Sequence, residues 1–213
     1  MQLDYHYWYF TSALPAATCD KIINLGKTKQ GERNFIIEQA LTGSLTYDQK
    51  LSKEQIEKVK KKRDSNIFWL EEEWIYHSIH PFIHAANKNA GWNFDWDCSE
   101  PCQFTIYKKG QHYDWHSDSL EKPSEKEGLQ KGKIRKLSVT VSLSDPENYK
   151  GGELEFDFKN NEPGKKSNTA VCEEILPKGS IVVFPSFVWH RVRKVTDGER
   201  NSLVMWNLGY PFK

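Results

Sequence analysis

The chain has 213 residues, with 30 Lys and Arg against 29 Asp and Glu and a formal net charge of +1. That balance argues against a strongly basic nucleic-acid binder, so nucleic acid is an unlikely partner. Mean hydropathy is −0.73, and no run approaches the roughly 18–20 apolar residues a membrane helix needs, so no membrane partner is expected.

Gln2 to Phe10 is aromatic-rich and predicts a strand that ends before Pro15. Ala16 to Lys27 predicts a short helix carrying Ile22, Ile23 and Leu25, with Gly26 or Gly31 as its stop signal. Leu51 to Arg63 is so rich in lysine that a solvated loop with a helical turn is expected. Ser65 to Leu70 predicts a strand. Glu71 to Asn89 predicts the longest helix, with Ile75, Ile79 and Ile83 on one face and Pro81 interrupting or kinking it. After Gly91 the texture turns to short β-type runs, near Trp92–Trp96, Gln103–Lys108, Leu137–Leu143, Glu153–Phe158, Ala170–Ile175, Ser180–Phe184, Val188–Val195 and Ser202–Leu208. Such runs, separated by Gly, Pro, Asn and Asp, describe a sandwich or barrel. Two connections stand out, the polar Ser119–Lys133 and the hairpin-like tip Lys159–Asn168. The whole chain, 1–213, is expected to be one domain, with residues 1–100 as helix-and-strand support and 101–213 as the barrel core.

The sharpest chemical feature is DWHSD, in which His116 and Asp118 sit two apart in a strand-like context. Residues i and i+2 of a strand face the same way, so an imidazole and a carboxylate can reach one ion together. His-x-Asp alone is weak. It gains weight from His190, near the other end of the chain, and from Arg200 ten residues later. Two His and one carboxylate form the facial triad that leaves positions open on Fe(II). The planar guanidinium of Arg200 suits a carboxylate held through two charge-assisted hydrogen bonds. A turn at Asp197–Gly198 would let His190 and Arg200 both point inward, with Ser202 sharing the face of Arg200.

Four segments, FTIYKKGQHYDWHSD, LSVTVSLSDPENYKGGELEF, GSIVVFPSFVWHRV and VTDGERNSLVMW, occur in this order between Gln103 and Gly209. In them the chain resembles the Fe(II)- and 2-oxoglutarate-dependent dioxygenases, specifically the prolyl 4-hydroxylase-like and PKHD-type hydroxylases. The resemblance implies a mainly β fold, a double-stranded β-helix (jelly-roll) barrel with N-terminal supporting helices. It implies that His116, Asp118 and His190 bind iron and that Arg200 binds the distal carboxylate of 2-oxoglutarate. Tyr107 and Ser202 join the co-substrate pocket, and Thr140 or Ser142 stands where relatives often carry a Tyr or Thr. Trp206, Tyr113 and Trp189 are candidates for substrate contact or for support of the ligands. The implied activity is hydroxylation, most favourably of peptidyl proline, by ferryl hydrogen abstraction and rebound, with O2 consumed and succinate and CO2 formed. Ascorbate enters only as a reductant. The implied partner is a proline-containing peptide or protein, the protein itself being a monomer or weak homo-oligomer. The same resemblance makes Ser119–Lys133 a lid over a bound peptide. Gly151–Gly152 reads as a turn, and Lys194 is the alternative anchor should Arg200 not serve.

Rival readings are a small-molecule or free amino-acid hydroxylase on the same site, and a non-catalytic zinc-stabilised module built on Cys98, Cys102, His112 and His116. The second has a nine-residue spacer where a finger expects about twelve, and strand-like texture where it expects a helix. His77, His80 and His84 read as ordinary helix histidines. The cysteines Cys19, Cys98, Cys102 and Cys172 are too sparse for a disulfide framework, and SALPAA lacks the basic and smoothly apolar flank of a signal peptide, so a cytoplasmic protein is expected.

Overall fold

The computed structural model describes residues 3–32, 52–119, 122–158 and 168–212. The first half supplies β1 (Trp8–Phe10), α1 (Ala16–Glu32), α2 (Lys53–Lys62), β2 (Arg63–Asp64), β3 (Asn66–Leu70) and α3 (Glu73–Asn89). The second supplies β4 (Cys98–Ser99), β5 (Cys102–Lys108), β6 (His112–His116), β7 (Ile134–Ser142), β8 (Tyr149–Gly151), β9 (Leu154–Asp157), β10 (Thr169–Val171), β11 (Ile181–Pro185), β12 (Trp189–Val192) and β13 (Val195–Gly209). The strands form two antiparallel sheets, the larger in the order β1-β11-β7-β13-β5-β3, the smaller in the order β10-β9-β12-β6-β2. Sheets that exchange consecutive strands in this way make a double-stranded β-helix, mostly β with few helices.

Period-2 alternation in the three central strands of the large sheet decides where the core lies. Cys102, Phe104 and Ile106 of β5, Leu137, Val139 and Val141 of β7, and Leu203 and Met205 of β13 join one apolar cluster with Ile22 of α1 and Ile75, Ile79 and Ile83 of α3. The three isoleucines of α3 are 0% exposed, and each contributes about 1.5–3 kcal/mol by burial. The alternate residues are Gln103 and Tyr107 of β5, Thr140 of β7, and Arg200, Ser202 and Trp206 of β13, which line a cavity shared with the small sheet. The main apolar core therefore lies outside the barrel, under the helices. A second apolar cluster, with Leu154 and Phe156 of β9 against Val182 and Phe184 of β11, joins the two sheets, and the cavity sets a few polar groups among apolar walls, as ligand sites do.

Several expectations are corrected. Helix α1 runs through Gly26 to Glu32. Gly26 is a packing residue, because a Cβ there would lie 2.2 Å from the Phe104 ring. Gly26→Ala is expected to lower stability by about 1–3 kcal/mol despite the better helix former, as overpacking does; unchanged thermal unfolding would contradict the close approach. The lysine-rich segment forms the ten-residue helix α2, seated by buried Val59. Pro81 sits inside α3 without ending it, because it lies on the exposed side, where water can take the freed carbonyl. Trp92–Trp96 is not a strand. Asn93 has a φ of 51°, and Phe94 is held by Asn87 through bonds of 2.9 and 3.0 Å. Of the expected strand Ala170–Ile175, Glu173–Ile175 is a 3-10 turn and only residues 170–171 belong to a strand, β10. The chain crosses from the small sheet to the large one at residues 193–194, and Asp197–Gly198 instead pairs with Lys150 and Tyr149 of β8. Residues 120–121 of the expected lid and 159–167 of the expected hairpin tip lie outside the described residues.

Candidate active site

His116 closes β6 and His190 lies directly opposite it on β12. Asp118 follows just beyond the strand. Its backbone N–H donates to the Ser186 carbonyl at 2.9 Å, as does that of Ser119 at 3.0 Å, so the strand exit is fixed. The ligand atoms of the three side chains lie within 4.8 Å of one another, the only such group among the described residues. Asp118 Oδ1 is 3.7 Å from His116 Nε2 and Oδ2 is 3.6 Å from His190 Nε2.

Both rings are set by backbone carbonyls, His116 Nδ1 against Asp114 O at 2.8 Å and His190 Nδ1 against Val188 O at 3.1 Å. A carbonyl only accepts, so each Nδ1 carries the proton and each Nε2 keeps a free lone pair for a metal. Burial, and then the neighbouring His190, hold His116 well below its ordinary value, so its neutral, ligating form prevails. Burial alone would push Asp118 up. His190, His116 and Arg135 outweigh it, with the Trp206 indole adding, and bring the carboxyl down to about 2. The Trp206 Nε1 itself finds no acceptor at hydrogen-bonding geometry.

The same cavity holds Tyr107, Thr140, Arg200, Ser202, Tyr113 and Trp206. Arg200 is 3% exposed, donates to Ser202 Oγ at 3.3 Å and lies 5.6 Å from the Tyr107 ring centroid. No carboxylate among the described residues pairs with it. A buried guanidinium left in that state is costly unless an anion completes it. Gly152 makes room for its stem, because a Cβ there, at φ +70°, would stand 2.9 Å from Arg200 Cδ. Gly152→Ala would add about 1–2 kcal/mol of left-handed strain and displace the guanidinium. A several-fold weaker affinity for a carboxylate co-substrate is the expected result, and unaltered affinity would detach Gly152 from Arg200.

Tyr113 stacks on His116 with centroids 3.5 Å apart, and burial pushes its hydroxyl up to about 12. Trp206 lies under the Arg135 guanidinium at 3.9 Å. Trp189 neighbours His190, but alternation turns it to the opposite face of β12, and it is not in the cavity lining. Ser142 pairs with Ser202 in the sheet and is likewise outside the lining. Lys194 is exposed on the far side of the crossing. Cys98, Cys102 and His112 do not gather with His116. His80 bonds to Ser99 at 3.0 Å and His84 stacks on Trp96, so those histidines serve packing. Gly132 to Ser124 and Ser124 to Lys133 backbone bonds of 2.8 Å close the base of the expected lid, and Lys133 ties it to Asp97 at 2.7 Å.

Sequence reasoning missed Arg63, Gln103 and Arg135. Arg63 is 7% exposed and lies 4.4 Å over Tyr113. Arg135 pairs with Glu100 at 2.6 Å. Both sit in lysine-rich runs, KKKR and KIRK, that look solvated. Gln103 belongs to the inward period Gln103-Thr105-Tyr107, the one signal that identifies it.

The sequence model of the 2OG-Fe(II) oxygenase superfamily matches residues 102–207. A PKHD-type hydroxylase of Shewanella sp. (strain ANA-3) is 34% identical over 106 residues, covering 50% of this chain and 42% of that protein. A PKHD-type hydroxylase of Teredinibacter turnerae is 34% identical over 108 residues, with the same coverage. The match thus spans less than half the length of these curated relatives. Among solved structures, a viral collagen prolyl hydroxylase from Paramecium Bursaria Chlorella virus-1 superposes with a TM-score of 0.63 at 19% identity, over 97% of both chains. A prolyl hydroxylase from Trichoplax adhaerens, solved with a hypoxia inducible factor peptide fragment, gives 0.65 at 15% identity, over 96% of this chain and 84% of that one. At these identities the likeness is one of fold.

Proposed function

Through residues 102–207 the chain belongs to the 2OG-Fe(II) oxygenase superfamily, and from that premise we propose that it is a 2-oxoglutarate- and O2-dependent hydroxylase acting on proline in a peptide or protein. The carrying observation is the shared cavity. Three ligand side chains with lone pairs free toward one point stand beside a buried Arg200 that has no carboxylate of its own.

The donor set fits Fe(II), since two imidazoles and a carboxylate on one side leave the remaining positions open. His116 and His190 would bind through Nε2 and Asp118 through a carboxylate oxygen. Arg200 would hold the distal carboxylate of 2-oxoglutarate, with Ser202 and Tyr107 completing its hydrogen bonds and Thr140 on the adjacent wall. When bound, iron with 2-oxoglutarate and O2 supplies the oxidising power, and succinate and CO2 are the co-products. The chain's own work is positioning, charge matching and exclusion of water. The Tyr113 hydroxyl stays protonated at neutral pH and orients groups without acting as a base. Tyr113, Val192 and Trp206 offer a proline ring apolar walls, and the structural neighbours named as prolyl hydroxylases support that substrate class. Ser119–Lys133 would fold over the peptide, and ascorbate would serve to restore Fe(II).

The test is succinate release from 2-oxoglutarate in air with Fe(II), with and without proline-containing peptides. Peptide-stimulated succinate together with a hydroxylated proline supports the reading. Stimulation by free amino acids or small molecules alone would move the substrate class.

A further inference from the structure

We propose that a groove beside the metal cavity receives an acidic stretch of the substrate polypeptide, so that Asp and Glu near the target residue select which polypeptides bind. This rests on the hydroxylase reading above and adds the chemistry of its substrate.

The groove has a volume of about 510 Å³. Tyr113 and Val192 line both it and the metal cavity, so the two share a wall. Its wall carries Arg191, Arg193 and Lys194 from the end of β12. Arg191 and Arg193 converge on one carboxylate, that of Glu155, which is 4% exposed, so two positive charges share a single buried negative one. Lys194 has no carboxylate partner among the described residues.

The fold then gathers further lysines at the rim. Gly110 N–H donates to Val195 O at 2.8 Å and Val195 N–H to Gln111 O at 3.0 Å, which locks the β5–β6 turn, with exposed Lys109, to the crossing that carries Lys194. His112 Nε2 lies 3.1 Å from Lys61 O, which brings the last turn of α2, with exposed Lys60 and Lys61, to the other side. These lysines too have no carboxylate partner among the described residues. In a chain of net charge +1, four unmatched lysines around a groove that shares a wall with the metal cavity make a local positive field, and such a field steers and selects partners of opposite sign. Asp114 and Glu153 also line the groove. They would repel a continuous phosphodiester but can face gaps between the side chains of an extended peptide, which favours an acidic polypeptide over nucleic acid.

The test uses fluorescent proline-containing peptides of equal length, flanked by Glu or by Lys, bound to protein loaded with Mn(II) and 2-oxoglutarate and followed by polarisation. The Glu-flanked peptide is expected to bind about tenfold more tightly at low salt, with the advantage shrinking in about 0.5 M salt. The double variant Lys61→Glu, Lys194→Glu should lose that preference while binding 2-oxoglutarate unchanged. Equal affinities, or a preference that survives in the variant, overturn the proposal. So does single-stranded RNA that displaces the Glu-flanked peptide at lower concentration than unlabelled peptide does. Failure of the protein to bind 2-oxoglutarate with any metal would instead undo the hydroxylase reading.

Discussion

Asp118→Ala is expected to abolish metal-dependent binding of 2-oxoglutarate while the fold stands. The side chain is the only carboxylate in the ligand group, and without it two neutral imidazoles remain, too few donors and no anionic charge to hold a divalent ion. The metal-free fold should tolerate the change, because Arg135, the cation that faces Asp118, keeps its own partner Glu100 at 2.6 Å and no uncompensated charge is left behind. Metal at a hundredfold excess over its dissociation constant should stabilise the unaltered protein by about 2.7 kcal/mol. For a chain of this size that raises the unfolding temperature by roughly 5–11 °C. In Asp118→Ala the metal-induced rise should vanish. A variant whose unfolding temperature still climbs with metal, or that still turns over 2-oxoglutarate, would remove Asp118 from the site.

Arg200→Met separates the co-substrate anchor from a structural arginine by moving two quantities in opposite directions. Removing the charged partner of a partly buried carboxylate costs about 2–5 kcal/mol, so 2-oxoglutarate affinity should fall by roughly 30- to 5,000-fold. Stability without ligand should hold or rise, because a desolvated guanidinium with no carboxylate among the described residues is replaced by an apolar side chain of similar length. Chemical denaturation and calorimetry on the same preparation read both effects. Loss of stability with unchanged 2-oxoglutarate binding would make Arg200 a packing residue.

The candidate site residues are legible because strand periodicity is local. His116 and Asp118 two apart, and Arg200 and Ser202 two apart, each state a shared face without reference to the rest of the chain. What brings His190 to His116 is cross-strand register in the small sheet, and no spacing in the sequence encodes that. The expected turn at Asp197–Gly198 is absent for the same reason. Its residues are good turn formers, yet pairing with β8 absorbs them, and the chain passes from one sheet to the other at residues 193–194 without reversing. Gly26 reads as a helix stop when only propensity is weighed, but its neighbour Phe104 is 78 positions away in sequence. The lysine-rich α2 offers one described buried side chain, Val59, too little apolar signal to reveal a helix. Arg63 and Arg135 lie hidden in basic runs, and only the tertiary fold turns them inward.

Anaerobic calorimetry of metal-stripped protein, titrated first with Fe(II) or Mn(II) and then with 2-oxoglutarate, tests the metal and co-substrate sites together. One metal site per chain is expected, with 2-oxoglutarate binding after the metal and not before it. Equal 2-oxoglutarate binding with and without metal, or metal binding that survives loss of Asp118, would contradict it.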